Sequence, residues 1–135
     1  MFKQLGIVDL LAAVKDQVET GTEYPCYDSR PSAVTGPYYY AEVSGKKPDH
    51  TDTLYRDVFT VPIHAVTGTE GTSEQVYRMI QQLEEAMSED IALPNDFYLA
   101  MQSGTGAQAI TTETTGEYQA VMDYEFTVGY GLRCK

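Results

Sequence analysis

Tryptophan is absent from these 135 residues, and cysteine and histidine occur only twice each. With His50 and His64 as the sole imidazoles, and no CxxC, CxxH or HxxxH spacing, a zinc site would have to take most of its ligands from carboxylates. No metal and no cofactor is therefore expected. Cys26 and Cys134 could form one bridge at most. A chain of this length buries roughly two thirds of its unfolded surface without staples, so both thiols are expected to be free. No apolar run approaches the roughly 20 residues of a membrane span. Asp9, Asp16 and Glu19 interrupt the N-terminal segment where a secretory signal would carry a cationic start and an unbroken apolar centre. The expectation is a chain that does not enter a membrane and works inside the cell, or in an assembly made there.

Basic residues are scarce as well: 9 against 20 acidic, a net charge of -11. No Lys or Arg lies between Arg78 and Arg133, a stretch that holds Glu84, Glu85, Glu89, Asp90, Asp96, Glu113, Glu117, Asp123 and Glu125. A duplex-binding footprint needs clustered cations to release counterions, and this chain has no such cluster. A surface of this sign keeps a protein soluble, avoids DNA, or meets a basic partner.

What is present is a clear architecture. From Glu117 to Leu132 the chain alternates, with Tyr118, Ala120, Met122, Tyr124, Phe126, Val128, Tyr130 and Leu132 on one face and Gln119, Asp123, Glu125 and Thr127 on the other. A period of two over such a length predicts a long strand with one packed and one wet face. At the N-terminus Leu5, Ile7, Val8, Leu11, Val14 and Val18 recur at helical spacing, predicting an amphipathic helix that stops near Gly21. Glu23 to Gly36, with Pro25 and Pro31, reads as an irregular crossing that contains Cys26.

Tyr38 to Val43 is rich in aromatic strand formers. Ser44 to Leu54 is polar throughout and reads as a long exposed hairpin loop. Arg56 to Thr67 alternates through Phe59, Val61, Ile63 and Ala65; Pro62 requires an edge or a bulge there because it lacks an N–H. Thr72 followed by Gln75 is a capping-box signal for a second helix, with Val76, Met79, Ile80, Leu83 and Met87 as its buried stripe. Phe97, Leu99 and Met101 mark a further strand, which Ser103 to Gly106 interrupts before a wet segment ending at Gly116. Neither GxGxxG nor GxxxxGK occurs, which excludes the common phosphate-cradling loops.

The order is thus α-β-β-α-β-β. The fold class expected is α+β: a two-layer sandwich in which two helices pack on one face of a mainly antiparallel sheet of about four strands. No Ser, Cys or second His stands near His64, whose best acid/base companions would be Asp123 or Glu125. The chain is not expected to be an enzyme.

This pattern resembles the tail-terminator, or tail-completion, proteins of long-tailed phages and prophages. The matching features are the N-terminal helix, the strand GPYYYAEV, a polar loop and the strand DVFTVPIHAVTG. They continue with the helix EGTSEQVYRMIQQLEEAM, a further strand, a polar loop ending TTGEYQ, and the closing strand MDYEFTVGYG. The resemblance covers nearly the whole chain as a single domain, residues 1–135, and lies in pattern and spacing. It implies the protomer of a ring, commonly a hexamer, that caps the growing tail tube and offers a docking face to the head connector. The implied partners are further copies of itself, the tail tube protein, the head connector or stopper protein, and DNA only as a duplex passing through the lumen. The implied location is the host cytoplasm during assembly and then the virion.

Two alternatives stand beside it. One is a head-closure or other neck or tail-tube component. The other, of a different class, is a small-molecule-binding or regulatory α+β domain in which Tyr38, Tyr40 and His64 line a pocket. For a ring, the candidate interface residues are Tyr38, Tyr39 and Tyr40, because alternation leaves at least one of them facing away from the core. Val121 on the wet face of the last strand is another. So are two long polar segments, one holding Lys46, Lys47 and His50 and the other Thr111 and Thr112.

Overall fold

The alternation after Glu117 produces the strand on which the sheet is built. The computed structural model describes residues 4–32, 34–94, 96–113 and 115–132. The free thiol expected at Cys134, and the side chain of Leu132 assigned to the packed face, lie outside the described residues.

In chain order the elements are α1 (Ile7–Gly21), β1 (Cys26–Tyr27), β2 (Tyr38–Ala41), β3 (Gly45–Pro48), β4 (Leu54–Val66), α2 (Ser73–Ala86), β5 (Tyr98–Thr112) and β6 (Tyr118–Leu132). The strands form one six-stranded sheet in the order β1-β2-β4-β6-β5, with β3 beside β2 along the same edge of β4. Every pairing is antiparallel except β1 with β2, so the sheet is mixed. The α+β class with two helices stands, while the expectation of about four strands is corrected to six and the order gains two short strands.

The physical reasons are local. Beside β4, the polar stretch after Ser44 pairs over only four residues, so sequence hydropathy registers nothing but exposure. β1 is two residues long, below the length at which a period can be read. The expected break at Ser103 to Gly106 is absorbed into β5 as irregular register, with shifts after Leu99, Gly104 and Ala107 and a positive φ of 82° at Gly106.

One face of the sheet carries the core. Tyr39, Phe59, Ile63, Met122 and Phe126 are fully buried there against Leu10, Val14 and Val18 of α1 and Val76, Met79 and Leu83 of α2, in a single cluster. At about 25 cal/mol per Å² of apolar surface removed from water, this burial is the main term holding the two layers together. Both helices therefore lie on the same side. α2 starts as its sequence indicates, with Thr72 accepting a hydrogen bond from the Gln75 N–H at 3.2 Å.

α1 differs in phase. Ile7 and Val8 are exposed, at 44% and 80%, while Leu10 and Ala13 face the core. The run LLAAV is apolar on several faces at once, so helical spacing alone does not select which stripe is buried. Gly21 lies so close to α2 that a Cβ there would stand 2.5 Å from the Ala86 Cβ. Pro62 is neither at an edge nor in a bulge: it faces Asp123 of β6 on one side, and its carbonyl accepts from the Glu42 N–H on the other. That second side is the gap between β2 and β3, so the missing N–H breaks no ladder bond.

Candidate assembly surface

The sheet's second face has no helix over it, and it gathers most of the candidate interface residues. Lys46 and Thr112 fall on the helix-covered face, and Tyr39 does too, its side chain pointing into the core with its hydroxyl donating to the Met79 carbonyl at 2.7 Å. Tyr38 and Tyr40 alternate onto the uncovered face, as the pattern requires, yet both are buried within the single chain. Tyr27 meets Tyr38 edge-on at 5.8 Å between ring centroids, and His64 stacks flat on Tyr40 at 4.1 Å and 4°.

A polar network holds this stack in place. Gln119 donates from Nε2 to the Tyr40 hydroxyl at 3.1 Å and lies 3.0 Å from His64 Nδ1. His64 Nε2 faces Glu42 Oε1 at 3.3 Å. Nδ1 accepting from Gln119 while Nε2–H donates to Glu42 describes a neutral imidazole, a tautomer assigned from the network. Burial lowers the His64 pKa, and Glu42 opposes that shift. Asp123 lies in the adjacent row and Glu125 a further row away, so both ring nitrogens are taken by Gln119 and Glu42 rather than by the carboxylates considered from sequence. Val121 pairs with His64, and Thr111 with Gln119, so these two candidates join the same patch, and Thr112 follows at the strand end. Arg30 ties the patch to the β5–β6 turn through Glu113 at 3.1 Å.

Lys46, Lys47 and His50 lie at the other end of β4. Lys47 pairs with Val58, eight residues from Val66, the partner of Tyr38, which at ~3.3 Å per residue separates the groups by roughly 26 Å. Lys46 sits over the Phe59 ring at 5.4 Å and 3.9 Å from Asp57. His50 Nδ1 accepts from the Arg56 N–H at 3.1 Å, and Asp49 pairs with Arg56 at 2.9 Å. The expected exposed loop is therefore a braced hairpin. Lys47 remains exposed on the uncovered face.

Sequence reasoning missed the exposed apolar side chains of β5, namely Tyr98, Met101 and Ile110. A register shift between Leu99 and Met101 turns Met101 off the face of Leu99, and after Gly106 the strand resumes in a shifted phase that leaves Ile110 outward. The clefts on the surface are open and polar: one of about 380 Å³ is lined by Arg30, Ser32, Tyr38 and Glu117. Another of about 270 Å³ lies among Lys47, Arg56, Val58, Met101 and Glu125. Among the described residues no group of three or more His, Cys, Asp or Glu is placed to hold a metal ion. Cys26 is a free, buried thiol whose pKa is pushed up to about 12, chiefly by burial, which makes it a poor nucleophile. No helix of the described residues is long and apolar enough to cross a membrane.

A family model described as "Putative tail termination protein" matches residues 1–135. No curated protein matches the chain. Among solved structures, a chain from a structure titled "Virion of native gene transfer agent (GTA) particle" has the same fold. Its TM-score is 0.68 at 16% identity, over 93% of this chain and 99% of that one.

Proposed function

The chain belongs to the phage tail terminator family, and from that membership we propose that it is a structural protein of the virion. It forms a ring at the end of the tail tube, stops tail growth there, and joins the tail to the head connector. The observation that carries this reading is the family match along residues 1–135. The shared fold with a chain of a gene transfer agent virion supports a place within such a particle.

The surface is consistent with that role. The uncovered sheet face carries Asp123 and Glu125, and no Lys or Arg lies between Arg78 and Arg133. A lumen of that sign repels phosphate and lets a duplex pass without holding it. Val121 and Thr111, seated beside the buried Tyr38 and Tyr40, form one contact patch of the ring, and Lys46, Lys47 and His50 lie at the opposite end of the sheet, where a different neighbour is met. Thr112 stands beside the patch on the helix-covered face, opposite Tyr118, and Tyr39 supports the patch from the core side.

The test is negative-stain microscopy with mass determination of the purified chain, alone and mixed with tail tubes of its own phage. Rings or capped tube ends are expected. Tubes that keep growing and uncapped ends in the presence of the chain would refute the terminator role.

A further inference from the structure

β5 ends the strand order, so its far edge meets no other strand among the described residues. An unpaired edge of fifteen residues is long, and proteins usually protect such an edge with charge or proline. From Tyr98 to Thr112 there is neither a charged residue nor a proline. The edge instead exposes Tyr98, Met101 and Ile110, at 41%, 62% and 45%. The register shifts against β6 interrupt the regular edge that a long partner strand would need, so the edge suits a short one.

The opposite border of the sheet has a second unpaired edge. β3 has β4 as its one neighbour and carries Lys46 and Lys47. Lys46 is turned onto Phe59 and Asp57, whereas Lys47 belongs to the uncovered face. The register links the two edges, for Lys47, Val58, Thr127 and Met101 form one continuous row across β3, β4, β6 and β5. If a second copy continues that row, its Lys47 lies beside the exposed Met101, where the aliphatic stem covers the thioether and the ammonium reaches toward Glu125.

Charge decides between the two ways of completing the β5 edge. β5 itself carries no charged residue, so pairing it with β5 of another copy would bring no cation to the Glu125 carboxylate beside it. Pairing β5 with β3 brings a lysine there instead. We infer that β5 of one copy is completed by β3 of a second copy of this chain, head to tail. Such a heterologous contact leaves one open edge at each end of a growing arc, and closure into a ring removes both. The inference rests on the terminator reading and names the surfaces that its ring uses.

The experiment combines exposed-site charge variants with native mass measurement of the purified full chain and with tube capping. Met101→Lys, which sets like charges side by side, is expected to weaken self-association about tenfold or more. Met101→Glu removes the same apolar surface but attracts Lys47 and is expected to retain association. Lys47→Glu added to Met101→Lys is expected to restore it. Circular dichroism verifies that each variant is folded; should Met101→Lys fail to fold, cross-linking of the paired variants Lys47→Cys and Ser103→Cys into closed oligomers carries the test.

Equal effects of Met101→Lys and Met101→Glu, a dimer as the sole assembled species, or a wild-type chain that neither self-associates nor caps tubes would each overturn the inference. Rings or caps that form normally with Met101→Lys overturn the edge contact and leave the terminator reading standing. Absence of capping by wild type defeats both.

Discussion

Lys46 Nζ stands 3.9 Å from Asp57 Oδ2, an oxygen that receives no hydrogen bond among the described residues. Asp57 is 2% exposed. The ion pair is long and lacks the hydrogen bonds that make a buried charge tolerable. Burial raises the Asp57 pKa, and Lys46 and His50 only partly oppose the shift.

Asp57→Asn is therefore expected to stabilise the fold at neutral pH. With the folded-state pKa raised, the unfolded chain ionises first as pH increases, and stability is lost as pH rises through the folded value. Below the ordinary carboxylate range both states are protonated, and the two proteins should converge. Thermal melts at pH 7 and near pH 2.5 measure this: the expected gain is a few degrees at pH 7 and close to none in acid. A lower melting temperature for the variant at pH 7 would show that the Lys46 contact outweighs desolvation.

His64 predicts a dependence of the opposite sign. Its folded-state pKa is lowered, chiefly by burial against Tyr40, so protons bind the unfolded chain more readily. Stability should fall as pH decreases from above the ordinary histidine value of about 6.5 toward the lower folded value. Denaturant titrations at pH 7.5 and 5.5 should show a smaller difference between the two pH values in His64→Gln than in wild type. An unchanged difference would place the titration elsewhere.

Helix contact gives a packing prediction. A Cβ at Gly21 would strike Ala86, so Gly21→Ala is expected to destabilise by about 1–3 kcal/mol despite alanine's better helix propensity. Ala86→Gly in the same chain should recover much of that loss. Additive effects in this double-mutant cycle would show that the helices move apart without cost.

At the start of α2, Thr72→Ala should cost about 1 kcal/mol through loss of the cap to the Gln75 N–H, read as a shifted denaturation midpoint with unchanged slope. Thr72→Asn, which caps equally well, should cost little.

Some of this was legible in single residues. Tyr118 to Val128 announced β6, and Thr72 with Gln75 announced α2, because each pattern is complete within one element. The candidate surface was legible only in part. Alternation placed Tyr38 and Tyr40 on the face away from the helices, but their cover comes from Tyr27, His64 and Gln119, which are distant in sequence or on other strands. Met101 shares a face with Phe97 and Leu99 in the sequence pattern, but the register shift between Leu99 and Met101 turns it to the other face, and Ile110 was hidden by a glycine-bearing segment that resembles a loop in sequence and is held as strand by β6.

The sequence by itself determined the periods, the caps and the sign of the charge, since backbone pleat and helical repeat act on neighbouring residues. Only the tertiary structure decided which stripe of α1 is buried, that Gly45–Pro48 pairs with β4, and that β5 is left as an open edge. Those outcomes depend on which elements meet across the sheet, and a pairing between distant segments leaves no period in either one.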